Sequence, residues 1–279
     1  VVLVLGTPLD FLLRFGRFAA PTLVHVHADP RELGRNRVPD AAIAGDCGLV
    51  LEALAEGVTG PVGGRGAWLA RLREAESAWW DEHRAAIESD ASPIDHYRLG
   101  RELDRVLDPG TVVIGDGGDV VAAVSRVLRV HRPGHWLDPG PFGCLGVGPG
   151  YAIGVHAAGF GGRIVCVMGD GAFGLNGLDF DTLVRFEIPA VLVVGNDGAW
   201  GEIRVPQVGM YGPDGEIATR LAPSRYDRLC EVFGGHAEHV ERPEELAPAL
   251  ERALASGEAA IVNVMLDPDA MAGHAYRGF

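Results

Sequence analysis

Residues Val165–Gly177 read VCVMGDGAFGLNG: an apolar run, then glycines around a single aspartate, then the beginning of a helical pattern. A buried strand that ends in a glycine-rich turn and feeds a helix is the repeating unit of parallel α/β sheets. The site on that turn has two readings. Taken as G-x-G-x-x-G through Gly169, Gly171 and Gly174, it is a dinucleotide fingerprint, and Asp197 at the end of the next strand falls about where a ribose-binding acid belongs. Taken as G-D-G, it places Asp170 between two glycines that would approach a phosphate. A carboxylate within ~4 Å of a phosphate oxygen is repelled by on the order of 4 kcal/mol at intermediate dielectric, so an aspartate there requires a cation between them.

The ligands for such a cation are at hand. Asp170 ends one apolar strand and Asn196 ends the next, in the pattern GDG, 24 residues, ND. If the strands are neighbours, their ends lie about 5 Å apart, within reach of one ion. Mg²⁺ fits the expectation, since it takes oxygen ligands, few of them from protein, and completes its octahedron with phosphate and water. A helix starting near Gly174 would aim its free N–H groups at the same diphosphate. A third reading keeps Asp170 as an ordinary helix cap.

Composition narrows the partners. The chain has 279 residues, a formal net charge of −14 and 47% hydrophobic residues, which argues against a nucleic-acid or anionic-membrane surface. Its 40 glycines cluster at strand ends without a period, as in loops that bring backbone close to a ligand. Cys47, Cys144, Cys166 and Cys230 lack C-x-x-C spacing and suit a reducing, cytoplasmic setting. No apolar stretch reaches the roughly 18 residues of a membrane span.

The predicted organisation has three parts. Residues 1–58 read as strands (VVLVLG, TLVHVHAD, AAIAGD) and a helix, CGLVLEALAEG, the expected C-terminal part of a central α/β domain, the strand-like start suggesting that the chain begins inside that domain. Residues 59–93 form a linker segment with a charged, Trp-bearing helix, alternatively a surface helix packed through Trp79 and Trp80. Residues 94–279 alternate amphipathic helices with apolar strands, the pattern of a doubly wound parallel sheet.

The GDG…ND spacing resembles the diphosphate motif of thiamine diphosphate (ThDP) enzymes. The likeness extends through WLDPGPFGCLGVGPGYAIG, RYDRLCEVFGGHAEHVERPEEL, LVLGTPLDFLLRFGR and HADPRELGRNR. Together these resemble the acetolactate synthase family in the broad sense, including the 2-hydroxyacyl-CoA lyase and benzaldehyde lyase branches, over its second half. The resemblance implies Mg²⁺ on Asp170, the Asn196 side chain and the Gly198 carbonyl. It implies diphosphate contacts at Gly169, Gly171, Ala172 and Phe173, and at Gly118 and Asp119 of the GDGGD loop. The Gly143 carbonyl would accept a hydrogen bond from the cofactor's amino group, and Leu145 would be the apolar wedge beneath the bent cofactor. Gly195 stands where many members carry a first asparagine.

The resemblance further implies an enzyme that makes or breaks carbon–carbon bonds in 2-oxo acids, 2-hydroxyacyl-CoA compounds or aldehydes. A pyrimidine-binding domain of a neighbouring subunit, in a homodimer or homotetramer, would bring the activating glutamate. Nothing in this chain matches that domain, so the chain alone is expected to be inactive. Relatives bind FAD or ADP in the central domain, which this stretch leaves open. Two other readings stand beside this one: an NAD-type dehydrogenase and a catalytically silent cofactor-binding fragment. Trp200, Glu202 and Gln207 are candidates for the substrate side or a solvated loop. His131, His135 and His156 read as packing or surface histidines rather than bases.

Overall fold

Why the apolar runs of the second half carry so few internal polar residues is evident from where their side chains go. In Ile164–Gly169, Val165 and Val167 enter one core while Ile164, Cys166 and Met168 enter another. In Ala190–Asn196, Val191 and Val193 share the first core and Ala190, Leu192 and Val194 the second. Successive side chains of a strand point to opposite faces, so a strand covered on both sides must be apolar throughout.

The computed structural model describes residues 1–60 and 63–271. The chain divides into two compact units, with the division between Glu76 and Ser77. The first contains β1 (Val2–Leu5), β2 (Leu23–His27) and β3 (Ala41–Ala44), parallel in that order. Helix α1 (Cys47–Gly57) follows, its N-terminus capped by Asp46, whose carboxylate accepts from Leu49 N at 3.0 Å. Val4, Leu9 and Leu23 form a small core there. Helix α2 (Gly66–Ile87) crosses the division. Its second half packs Trp79 and Trp80 around Ile87, Tyr97 and Ala123.

The second unit continues with α3 (His96–Val106), β4 (Val112–Asp116), α4 (Gly118–Val127), β5 (Trp136–Leu137), α5 (Gly148–Ala157) and β6 (Ile164–Gly169). Then come α6 (Asp170–Asn176), α7 (Phe180–Arg185), β7 (Ala190–Asn196), α8 (Gly201–Tyr211), α9 (Leu229–Phe233), β8 (His236–Val240), α10 (Pro243–Ser256) and β9 (Ala260–Met265). The sheet order is β5-β4-β6-β7-β9-β8 and every strand pair is parallel. With cores on both faces, the molecule has the α/β fold expected from the sequence.

Three local expectations need correction. The helix expected from Gly174 starts at Asp170, because β6 turns straight into α6 with Gly169 as its extended N-cap. The stretch around Trp200, Glu202 and Gln207, for which a solvated loop is one expectation, is largely helix α8 despite Pro206 within it, held by Arg204, which bonds Glu216 (3.2 Å), Asp269 (2.8 Å) and the Pro268 carbonyl (3.0 Å). HAEHV, unassigned from sequence, is strand β8 at the edge of the sheet, where only β9 pairs with it.

Candidate functional site

Sheet register brings the motif residues together. Gly169 of β6 lies opposite Gly195 of β7, so Asp170 and Asn196 follow at adjacent strand ends. Both are buried, at 1% and 0% exposure. Asp170 Oδ1 accepts from Gly171 N at 2.7 Å, and the N–H groups of Gly198 and Ala199 also face this carboxylate. Its Oδ2 is buried without a hydrogen-bond partner. The Asn196 amide nitrogen donates to the Ser224 carbonyl (2.7 Å) and to Asn263 Oδ1 (3.1 Å), while its Oδ1 is likewise buried and unpartnered. Buried acceptors are rarely left unmade, because each lost partner costs about 1–3 kcal/mol. Two such oxygens at neighbouring strand ends are of the kind that could hold a hard cation. Gly198, at φ +64°, has its carbonyl already accepting from Leu221 N at 2.7 Å, leaving one lone pair. Among the described residues no three His, Cys, Asp or Glu side chains converge on a metal position, so such a site depends on carboxamide and backbone oxygens.

Asp170 lines a cleft with Gly169, Gly171, Ala172, Gly118, Asp119 and Trp200, whereas Asn196 and Gly198 are not in its lining. A side chain on Gly171 would meet the Trp200 ring at 2.8 Å, and one on Gly201 would meet Asp119 at 2.7 Å and Asp197 at 2.9 Å. The cleft is acidic. Burial, with Glu202 and Asp197 nearby, pushes the Asp119 carboxyl up to about 7. Burial, with Asp170 nearby, pushes Asp197 up to about 7, and burial raises Asp170 to about 6. All three hold protons more tightly folded than unfolded. The metal-free chain should therefore lose stability as pH rises from about 4 through about 7, the region between the ordinary and the raised values. Thermal melts across that range check the slope, and a melting temperature that rises instead would contradict it.

The opposite wall is built from β4. Gly117, at φ +70°, receives the Leu145 side chain so closely that a methyl group on Gly117 would overlap Leu145 Cδ2. The loop carrying Leu145 is tied to the sheet by Asp116, missed from sequence, which accepts from Gly146 N (2.8 Å) and Gly148 N (2.7 Å). Gly143 is left-handed (φ +59°) and exposed on that loop, outside the cleft lining. Phe173 is also not in the lining; its ring sits in the core beside Tyr226, 5.0 Å between centroids.

Glu202 lines the cleft with Trp200, whereas Gln207 accepts from Ile217 N at 3.1 Å. His131, His135 and His156 are not in the lining, and His135 bonds the Thr111 carbonyl at 3.2 Å. His96, unremarked in the sequence, is in it, its pKa lowered to about 4 by burial and its Nδ1 unpartnered.

A glycine-rich cleft at the carboxyl ends of parallel strands is where α/β proteins bind phosphorylated cofactors. Residues 116–264 match the family model for the thiamine pyrophosphate enzyme C-terminal TPP binding domain, and residues 1–54 that for the central domain. The chain belongs to the thiamine pyrophosphate enzyme family, which indicates thiamine diphosphate as the cofactor. A probable acetolactate synthase of Mycobacterium bovis is 41% identical over 272 residues, covering 96% of this chain and 49% of that protein. An acetolactate synthase large subunit of Mycobacterium tuberculosis gives the same figures. The 2-hydroxyacyl-CoA lyase 2 of Homo sapiens is 31% identical over 255 residues, covering 88% of this chain and 39% of that protein. The chain thus spans about half the length of the acetolactate synthases it matches.

Proposed function

We propose that this chain carries the diphosphate- and cation-binding part of an acetolactate synthase-like carboligase or lyase acting on 2-oxo acids or 2-hydroxyacyl compounds. Mg²⁺ would be held by Asp170 Oδ2, Asn196 Oδ1 and the free lone pair of the Gly198 carbonyl. The observation that carries this is the pair of buried, unpartnered oxygens of Asp170 and Asn196 at adjacent strand ends. They fit a hard cation and give a dinucleotide phosphate only repulsion.

When bound, ThDP supplies an electron sink for negative charge beside a carbonyl carbon. The residues of this chain bind and shape it. Gly171, Ala172 and Phe173, in the first turn of α6, would offer backbone to the diphosphate, as Gly118 would from α4. Asp119, whose carboxyl is pushed up to about 7, would stand beside that diphosphate, a donor while protonated and a repelling charge once ionised. Leu145, seated on Gly117, would support the cofactor's bent shape, and the Gly143 carbonyl, exposed on the same loop, would accept from its amino group.

The pyrimidine-binding domain of a neighbouring subunit is the proposed partner, in a homodimer or homotetramer. Exposed Phe142, Leu175, Leu178 and Ile203 give it apolar surface to cover. The cytoplasm is the proposed setting, in keeping with four free cysteines. Among the described residues no helix is long and apolar enough to cross a membrane.

Thermal melts test the proposal cheaply. ThDP should raise the melting temperature when Mg²⁺ is present and not when it is chelated, and NAD should raise it in neither case. Stabilisation by NAD, or by ThDP equally with and without Mg²⁺, would overturn it.

A further inference from the structure

Strand β9 reads Ala260-Ile261-Val262-Asn263-Val264-Met265, apolar but for one residue. Asn263 is 0% exposed and shares the face of Ile261, which belongs to the second core. Asn196, at the end of β7, lies on the same face and diagonally across, because Val194 pairs with Asn263 and Asn196 with Met265. A carboxamide at such a position must find its hydrogen bonds inside the protein.

Those bonds have a fixed direction. The Ser224 carbonyl receives the amide nitrogen of Asn196 at 2.7 Å and that of Asn263 at 3.2 Å. A backbone carbonyl only accepts, so turning either amide over would set oxygen against oxygen. With its nitrogen on Ser224, Asn263 offers Oδ1 to the second amide proton of Asn196 at 3.1 Å. Both protons of Asn196 are then used on one side. Its Oδ1 has to face the other way, where it is buried and unpartnered.

The second amide proton of Asn263 has Asp227 Oδ1 within reach at 3.4 Å, with the His239 ring beside it, Nδ1 at 3.3 Å. Asp227 is gripped by Arg225 through bonds of 2.9 and 2.6 Å. Burial alone would raise the Asp227 pKa, but Arg225 brings it below the ordinary carboxylate range, so Asp227 acts as a charged acceptor. The stretch Ser224-Arg225-Tyr226-Asp227 therefore supplies both the carbonyl that sets the direction and the carboxylate behind it.

We infer that Asn263, together with the Ser224 carbonyl, locks the amide of Asn196 so that oxygen and not nitrogen is presented to the cation. Asn263 is a positioning residue: it touches neither cation nor cofactor and acts through Asn196. The inference rests on the Mg²⁺ site proposed above. An amide nitrogen has no lone pair to give a metal, so a freely turning Asn196 would be a ligand only part of the time.

The test is calorimetric titration of ThDP into the 279-residue chain at a series of Mg²⁺ concentrations, alongside metal-free thermal melts. Asn263→Leu keeps the volume and removes the side-chain half of the lock, leaving Asn196 on the Ser224 carbonyl alone. It should raise the Mg²⁺ needed for half-maximal ThDP binding about ten- to a hundred-fold, the usual range for an outer-shell partner. Asn263→Asp still offers oxygen to the Asn196 nitrogen. It should melt lower, through repulsion from Asp227 and the Ser224 carbonyl, yet keep its Mg²⁺ requirement within a few-fold of the unaltered chain.

Rescue is the sharper arm. Asn196→Asp in the Asn263→Leu background presents oxygen whichever way it turns, so most of the lost Mg²⁺ response should return. If Asn263→Leu does not fold, Asn263→Ser, too short to reach Asn196, carries the same expected rise. An unchanged Mg²⁺ requirement in a folded Leu or Ser variant, or no recovery in the double variant, would overturn the lock while leaving the site standing. ThDP binding by the unaltered chain that ignores Mg²⁺ would overturn the site and the lock together.

Discussion

Asp170→Ala should abolish Mg²⁺-dependent ThDP binding, with a loss of affinity of two to three orders of magnitude. The substitution removes the one charged ligand of the proposed cation and leaves two diphosphate charges facing Asp119 and Asp197. Removing one member of a buried charge pair typically costs about 3–5 kcal/mol, which corresponds to that range. Asn196→Ala should weaken binding less, since it removes a neutral ligand. The metal-free Asp170→Ala chain should be no less stable at pH 8 than the unaltered chain, because it sheds a carboxyl whose ionisation in a buried place is unfavourable. Calorimetric titration of ThDP at fixed Mg²⁺, with parallel melts, reads both effects. Unchanged affinity in Asp170→Ala would remove the residue from the site.

Gly117→Ala should be the most damaging small change on the cleft wall. Two costs coincide there: a backbone at φ 70°, ψ 159° that is essentially glycine-only, about 1–3 kcal/mol for a residue with Cβ, and overlap with Leu145, about 1–3 kcal/mol for an overpacked contact. For a unit of this size each kcal/mol lowers the melting temperature by about 2–4 °C, so a fall on the order of 10 °C is expected. Leu145 would be forced from its seat, and ThDP affinity should fall with it. The double change Gly117→Ala with Leu145→Ala separates the causes. It should recover the part of the lost stability due to overlap and not the part due to backbone strain. A Gly117→Ala chain that melts and binds ThDP normally would show that Leu145 has room to move, and the wedge assignment would lose its structural support.

The resemblance carried by GDG…ND, together with apolar runs closed by glycine, made the heart of the fold legible from sequence. Strands β6 and β7 are covered on both faces, so burial is written into every residue of Ile164–Met168 and Ala190–Val194. What escaped is of three physical kinds. Edge strand β8, with His236, Glu238 and His239, owes its conformation to pairing with β9 and carries little apolar signal of its own. Helix α8 is held by the ion pairs of Arg204 with Glu216 and Asp269, partners far along the chain that outweigh the helix-breaking tendency of Pro206.

The remaining omissions, Asp116, His96 and Asn263, are buried polar residues whose work is visible only once their partners are known. Each did leave a trace. Asp116 ends an apolar strand, and Asn263 interrupts one. A polar residue at a position whose periodicity calls for an apolar one has partners to be sought. His96 leaves the weakest trace, standing beside the helix cap Asp95, and its place in the cleft depends on folding alone.

The central claim is that a divalent ion lies between Asp170 and the cofactor diphosphate. Replacing Mg²⁺ by Mn²⁺ allows it to be tested directly, by pulsed electron–nuclear double resonance on the chain with Mn²⁺ and ThDP. Strong ³¹P coupling from directly bound diphosphate oxygens is expected in the unaltered chain, and loss of that signal from Asp170→Ala at the same concentrations. ThDP bound with no ³¹P coupling to the metal, or coupling that survives in Asp170→Ala, would contradict the claim.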